Sequence, residues 1–194
     1  MSYIITIGMV KDHPEYHEMI NDYITEMRAN NFYETDRGIE WYENCVIFVL
    51  GDKDDKPMSF IMVAPFPLDE NESFSLKKFK GNVIVMGAYC KPEHRNKGYY
   101  TFLYSKMFQY FRERSDQYKR LLSGYDNNNK ISKHVQLKKH NRMVFQIGPK
   151  YSRTYTWFKP TWRESMYDLY NSIRIAIGFP MKYDSGFYDK MFNT

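Results

Sequence analysis

Within this chain of 194 residues, the side chains best placed to do chemistry lie between Cys90 and Thr101, reading C-K-P-E-H-R-N-K-G-Y-Y-T. Arg95 and Lys97 bring positive charge. Gly98 permits backbone conformations that a Cβ disfavours and lets the main chain approach a ligand closely. A helix opening directly after Gly98 would present N–H groups without intrahelical acceptors, and its positive dipole end would point at the same place. Backbone N–H groups around Arg95 to Thr101, including those of Asn96, Lys97, Tyr99 and Tyr100, then form a concave anion site. Its size and charge suit a pyrophosphate. A Walker-type phosphate loop is excluded, because no Gly-Lys-Ser/Thr follows the preceding apolar segment.

Two elements must hold that turn. Val83 to Cys90 is apolar and β-branched, which predicts a strand whose end, Ala88-Tyr89-Cys90, offers backbone groups to an extended ligand. After Gly98, the residues Tyr99, Phe102, Leu103, Met107, Tyr110 and Phe111 keep a spacing of three and four, which predicts a helix over Tyr99–Glu113. Upstream, Ser2–Met9 reads as a first strand. Asp12, Pro14 and Glu15 read as a capped helix start, with Tyr16, Met19, Ile20, Tyr23, Ile24 and Met27 on its apolar face and Asn30-Asn31 at its end. A weaker helical piece covers Phe32–Glu43. Cys45–Leu50 and Pro57–Ala64 form a hairpin about the polar turn Gly51–Lys56, and Pro65–Gly81 is a long connection with an acidic centre. Downstream come a strand at Lys119–Tyr125, a short basic helix at Lys130–His140 behind the caps Asp126–Asn129, and strands at Met143–Gly148 and Tyr151–Phe158. A last capping box at Thr161–Glu164 opens a helix to about Ile177, with Met166, Leu169, Tyr170, Ile173 and Ile177 on one side.

Composition narrows the class. Hydrophobic residues at 43% and aromatics at 18% supply a globular core and argue against bulk disorder. No apolar run reaches membrane-span length, and the N-terminus lacks a secretory signal pattern. The 2 cysteines, Cys45 and Cys90, make no disulfide framework, so a cytoplasmic setting is expected. A net charge of +5 favours anionic partners without choosing among them. The run Lys130, Lys133, Lys138, Lys139 and Arg142 lacks interleaved aromatics, so nucleic-acid binding is not expected. His13 and His17 share a helical face without a third ligand, so no metal site is expected.

The order β, α, (α), β, β, β, α, β, α, β, β over Ser2–Phe158 resembles the GNAT superfamily, the Gcn5-related N-acetyltransferases. The turn Pro92-Glu93-His94-Arg95-Asn96-Lys97-Gly98-Tyr99-Tyr100 resembles that family's coenzyme A signature of Pro, Glu, any residue, Arg, Gly, Lys, Gly, any residue, Gly or Ala. Pro92, Glu93, Arg95, Lys97 and Gly98 sit in register, whereas Tyr100 stands where the signature has its last small residue.

The resemblance implies an α+β fold with a mixed sheet flanked by helices, carrying here an extra C-terminal helix. It implies a domain over 1–159 and an appended segment over 160–194. It also implies acetyl-CoA, or another acyl-CoA, as cosubstrate, with an amine on a small molecule or peptide as acceptor. Coenzyme contacts would come from Ala88, Tyr89, Cys90, Arg95, Asn96, Lys97, Gly98, Tyr99, Tyr100, Thr101 and Asn129, with a backbone N–H near Ala88 polarising the thioester carbonyl.

Proton transfer is required as well, because a lysine-type amine with a pKa of about 10.4 is almost wholly protonated at pH 7. The family's strand carboxylate has no counterpart at Val83–Met86, and its tyrosine after the Asn129 motif is replaced by Gln136. Tyr125 and Glu93 are the catalytic candidates carried forward. Tyr89, Tyr99 and Tyr151 are open as other acids, and Asp126 and His134 as other bases. The alternative reading is a catalytically silent GNAT-fold module within a larger assembly, viral assemblies included, docked or dimerised through the C-terminal helix.

Overall fold

The computed structural model describes residues 3–30, 38–66, 82–139, 143–147 and 151–162, with 165, 166, 169, 170 and 173 beyond them. The chain divides into two compact units, Met1–Lys119 and Arg120–Thr194.

In the first unit, β1 (Ile4–Met9), β2 (Val46–Gly51), β3 (Pro57–Phe66) and β4 (Asn82–Cys90) lie side by side in that order, each pair antiparallel. Helix α1 (His17–Ala29) covers one face and α2 (Tyr99–Arg112) the other. Strands β2, β3 and β4 are apolar on both faces because each of those faces meets a helix. Ile47, Val49, Phe60, Met62 and Ala64 join Met19, Ile20, Tyr23 and Ile24 of α1 in one core. The intervening Phe48 turns the other way, with its ring 5.9 Å from that of Phe111 on α2.

The capped start expected at Asp12 does not form. Two short 3-10 turns, Val10–Asp12 and Pro14–Tyr16, precede α1, and His13 Nδ1 lies 2.8 Å from Glu15 Oε1. Glu15 is thereby committed to His13, which holds its carboxyl below the usual range, and no side chain caps α1. At the other end Asn30 closes the helix as expected, with both its backbone N–H and its Nδ2 donating to the Glu26 carbonyl at 3.1 and 2.8 Å. The weaker helical piece is a 3-10 turn at Ile39–Tyr42, its earlier residues lying outside the described ones.

Strand β4 is irregular. Gly87 pairs with Met62 but Val85 pairs with Val63, so Met86 is an extra residue, a β-bulge. The bulge shifts the alternation by one residue, which lets Ile84, Met86 and Tyr89 all face the α1 core. Gly87 sits under α1: a Cβ built there would lie 2.9 Å from Tyr23 Cε1 and 2.9 Å from Met62 Cε.

In the second unit, β5 (Arg120–Asp126), β6 (Met143–Ile147) and β7 (Tyr151–Trp157) pair antiparallel in the order β5-β7-β6. The expected basic helix is short. It runs as α3 (Lys130–His134) and widens to a π-helical turn over Val135–Lys139. Of the helix expected over Thr161–Ile177, the described residues Trp162, Ser165, Met166, Leu169, Tyr170 and Ile173 have helical backbone, and Ser165 N–H bonds Thr161 O at 2.9 Å. Arg163, Glu164, Ile177 and the tail from Tyr183 lie outside the described residues, as does 67–81 of the acidic connection.

Candidate coenzyme-binding site

The turn between β4 and α2 is built from local hydrogen bonds. Pro92–His94 is a single 3-10 turn, closed by His94 N–H to Lys91 O at 2.9 Å and Arg95 N–H to Pro92 O at 3.2 Å. Asn96 then takes φ 62° and Gly98 φ 81°, two left-handed residues on either side of Lys97. Asn is among the side chains that tolerate this region, and glycine enters it freely. Alternation of right- and left-handed residues can turn successive N–H groups toward one side, the geometry of an anion-accepting hollow.

Gly98 is the N-cap of α2, and no side chain caps it. The first intrahelical bond is Phe102 N–H to Gly98 O at 3.0 Å, so the first-turn N–H groups at Tyr99 to Thr101 precede the helical ladder. A Cβ at Gly98 would meet no atom within 4 Å, so the space above the turn is open. Tyr100 is accommodated at the signature's small-residue position because positive φ among the described non-glycine residues is confined to Asp55 and Asn96. Its ring runs along α2, 6.3 Å from that of Tyr104.

The cations of the turn are engaged within the protein. Lys97 Nζ donates to Glu93 O at 2.9 Å. Arg95 folds back over the end of β4: its Nε donates to Cys90 O at 3.0 Å, its Cζ lies 5.6 Å from the Tyr89 ring centroid, and its Nη2 pairs with Glu26 on α1. Glu26 raises the Arg95 pKa further. Burial, then the charges of Glu26 and Asp22, raise that of the Tyr89 phenol. Ser59 Oγ donates to Tyr89 O at 2.8 Å from β3. Ala88, Tyr89 and Cys90 thus form the strand end beside the turn, with Ala88 and Cys90 half-buried and Tyr89 buried.

Tyr99 belongs to an aromatic group on the outer side of α2. Its ring is edge-on to that of Tyr3 at 5.6 Å, and the two phenols share a hydrogen bond. Glu93 is 64% exposed, with only a distant approach of 3.9 Å to His94.

The remaining sequence candidates belong to the second unit. Tyr125 is buried on β5. Asp126 is buried too, and its Oδ1 accepts from Asn128 N–H at 2.8 Å. Asn129 caps α3, its Oδ1 accepting from Ser132 N–H at 2.9 Å. His134 is exposed, and the Tyr151 side chain lies outside the described residues.

Gln136 is buried and fully committed. Its Nε2 donates to Gly124 O at 2.7 Å and approaches Ser132 Oγ at 3.3 Å, while its Oε1 accepts from Thr154 Oγ1 at 2.8 Å. It ties the π-helical turn to β5 and β7 and has no proton to give.

Sequence reasoning missed two participants, Glu26 and Ser59. Glu26 sits 69 residues from Arg95, in a helix whose pattern speaks only for its apolar face. No spacing rule could have paired them.

Among the described residues no group of three His, Cys, Asp or Glu could hold a metal ion, and no helix is long and apolar enough to cross a membrane. No curated protein sequence matches the chain significantly. Solved structures do match its fold. An N-acetyltransferase from Staphylococcus aureus Mu50 superposes with a TM-score of 0.57 at 16% identity, over 82% of this chain and 100% of that one. An acetyltransferase candidate from Salmonella typhimurium, yncA, solved with its cofactor acetyl-CoA, gives 0.56 at 14% identity, over 81% and 96%. A ribosomal-protein-alanine N-acetyltransferase from Brucella melitensis gives 0.57 at 17% identity, over 79% and 99%. The sequence profile of the acetyltransferase (GNAT) family matches residues 14–138, a span running from the first turns before α1 through the turn between β4 and α2 to the π-helical turn, and the chain belongs to that family.

Proposed function

We propose that the chain is an acyl-CoA-dependent N-acyltransferase that moves an acetyl group from acetyl-CoA to the amine of a small molecule or peptide. The observation that carries this reading is the turn itself. Left-handed Asn96 and Gly98 lead into the uncapped start of α2, with open space above Gly98. Such a hollow fits a pyrophosphate by hydrogen bonding and helix dipole, even though Arg95 and Lys97 are engaged internally. The N–H groups of Asn96 to Thr101 would hold the phosphates, and Ala88 to Cys90 would border the pantetheine arm, with Asn129 as the further contact.

Acetyl-CoA supplies the acyl group as a thioester. The amine nitrogen bonds to the carbonyl carbon, the carbon–sulfur bond breaks, and the amine's surplus proton must leave as the thiolate gains one. Glu93 is proposed as the base and Tyr125 as the acid. With Tyr125→Phe and Glu93→Gln, kcat should fall by about 10²–10⁴-fold while acetyl-CoA affinity holds.

Calorimetry tests the reading directly. Acetyl-CoA should bind saturably, and Gly98→Ala should weaken it by about tenfold, since a left-handed alanine is strained and its Cβ would enter the hollow. Absence of binding at millimolar coenzyme would remove the proposal.

One observation favours the silent-module alternative: the position of the family's tyrosine is occupied by Gln136, whose amide is spent on Gly124, Ser132 and Thr154. On that reading 1–159 is a retained scaffold and 160–194 the docking piece. A chain ending at Lys159 would then fold, bind no acetyl-CoA and lose its partner in co-purification.

A further inference from the structure

We infer that Glu26 is a positioning residue for the coenzyme turn, acting through Arg95, and that the Arg95 guanidinium is a strut within the protein rather than the main electrostatic ligand of the phosphates. The inference deepens the acyltransferase reading and rests on it for its functional consequence.

Arg95 joins three parts of the first unit. Its Nε holds the carbonyl of Cys90, the last residue of β4; its plane approaches the Tyr89 ring; and its Nη2 reaches Glu26 on the last turn of α1. A guanidinium has five donors in a fixed fork, so one side chain can make these bonds together with little residual freedom. Glu26 is itself held. The carbonyl of its own residue receives two bonds from Asn30, which fixes the helical turn that carries the carboxylate. The pair is only partly exposed, at 40% for Arg95 and 32% for Glu26, so it is less screened than an open surface pair.

What the strut fixes is the entry to the turn. Arg95 is the residue immediately before left-handed Asn96, and its own N–H already closes the Pro92–His94 turn. Anchoring its side chain at Cys90 and Glu26 fixes the direction in which the next N–H groups point. The turn therefore keeps its anion-accepting shape before any ligand arrives, and binding loses less to ordering. A direct phosphate contact by Arg95 makes the opposite prediction. Glu26 would then compete for the guanidinium, and neutralising Glu26 would tighten binding.

The experiment compares wild type, Glu26→Gln, Arg95→Gln and the double variant. Calorimetry with coenzyme A should show each single variant weaker by roughly 5–10-fold and the double no weaker than about the worse single, the non-additivity expected of one coupled unit. Tighter or unchanged binding in Glu26→Gln, or additive losses in the double variant, would overturn the inference.

Amide hydrogen exchange without any ligand provides the independent reading. Exchange at His94 and Arg95, whose N–H groups close the turn on Lys91 O and Pro92 O, should quicken equally in both single variants while the β2–β3 amides stay protected. Unchanged exchange at the turn in Glu26→Gln overturns the inference whether or not coenzyme binds. Failure of the wild type to bind coenzyme A, with the exchange result as expected, would overturn the acyltransferase reading alone.

Discussion

At the scale of single residues, the two cysteines are set apart by burial. Cys45 is sealed beneath α1 at 2% exposure, and desolvation pushes its thiol up to about 12. Cys90, at the end of β4, is also raised by burial but remains half-exposed beside Arg95. At pH 8 only about one Cys45 in ten thousand would be a thiolate, so alkylation should mark Cys90 first and Cys45 only after unfolding. Peptide mass mapping after a timed iodoacetamide pulse checks this, and acetyl-CoA should shield Cys90 if it lies along the strand end. Asp52 offers a pH-dependent case. Its Oδ1 accepts from the N–H groups of Lys56 and Asp54, at 2.9 Å each, which lowers its pKa. Because the folded value lies below the unfolded one, the contribution is complete above the ordinary Asp range and disappears as pH falls through the lowered value. Denaturation of wild type and Asp52→Asn should therefore differ at neutral pH and converge in acid. The signals behind these two predictions differ in legibility. Asp52-Lys53-Asp54-Asp55 announces a turn in sequence, whereas the difference between Cys45 and Cys90 depends on what packs over each.

At the scale of elements, the apolar faces of α1 and α2 were readable because helical periodicity is local. The β4 bulge was not. Val83 to Cys90 has the same apolar character with or without an extra residue, and only pairing with β3 shows that Met86 is unopposed. That bulge and Gly87 let β4 and α1 approach closely. Gly87→Ala places a methyl against the Tyr23 ring and should cost about 1–3 kcal/mol in chemical denaturation, with relief in a Tyr23→Leu background. Gln136 teaches the converse. Its place in the motif was visible, and the sequence suggested only a missing tyrosine. The structure shows a replacement with its own duty, tying the π-helical turn to β5 and β7. Gln136→Leu should destabilise by about 1–3 kcal/mol, because Gly124 O and Thr154 Oγ1 lose their partner in a buried setting. Gln136→Tyr should fail to raise transfer activity, since the larger side chain cannot occupy that hydrogen-bonded place.

At the scale of the whole molecule, ligand linkage is the plainest test of the proposed function. Acetyl-CoA at about 100 times its Kd should add about 2.7 kcal/mol to stability and raise the melting temperature by several degrees. Differential scanning calorimetry with acetyl-CoA, coenzyme A and a phosphate-free pantetheine would show how much of the shift comes from the phosphates. A phosphate-dominated shift is expected from the turn after β4. Equal shifts with and without phosphates would place the binding energy elsewhere.

The sequence by itself determined the α+β class, the position of the turn between β4 and α2, the helices and strands flanking it and the family resemblance. All of these rest on local terms: apolar periodicity, the left-handed tolerance of glycine and asparagine, and residue spacing within a short segment. Only the folded structure decided where the charges went, within the turn for Lys97 and across to α1 for Arg95. Arg95 and Lys97 looked like free phosphate ligands in the linear chain, but a side chain's partners depend on what folding brings within about 3 Å. Lys97 found a carbonyl four residues away, and Arg95 found Cys90 and the distant Glu26. On the proposed reading, the turn would hold a pyrophosphate through its backbone first and its cations second.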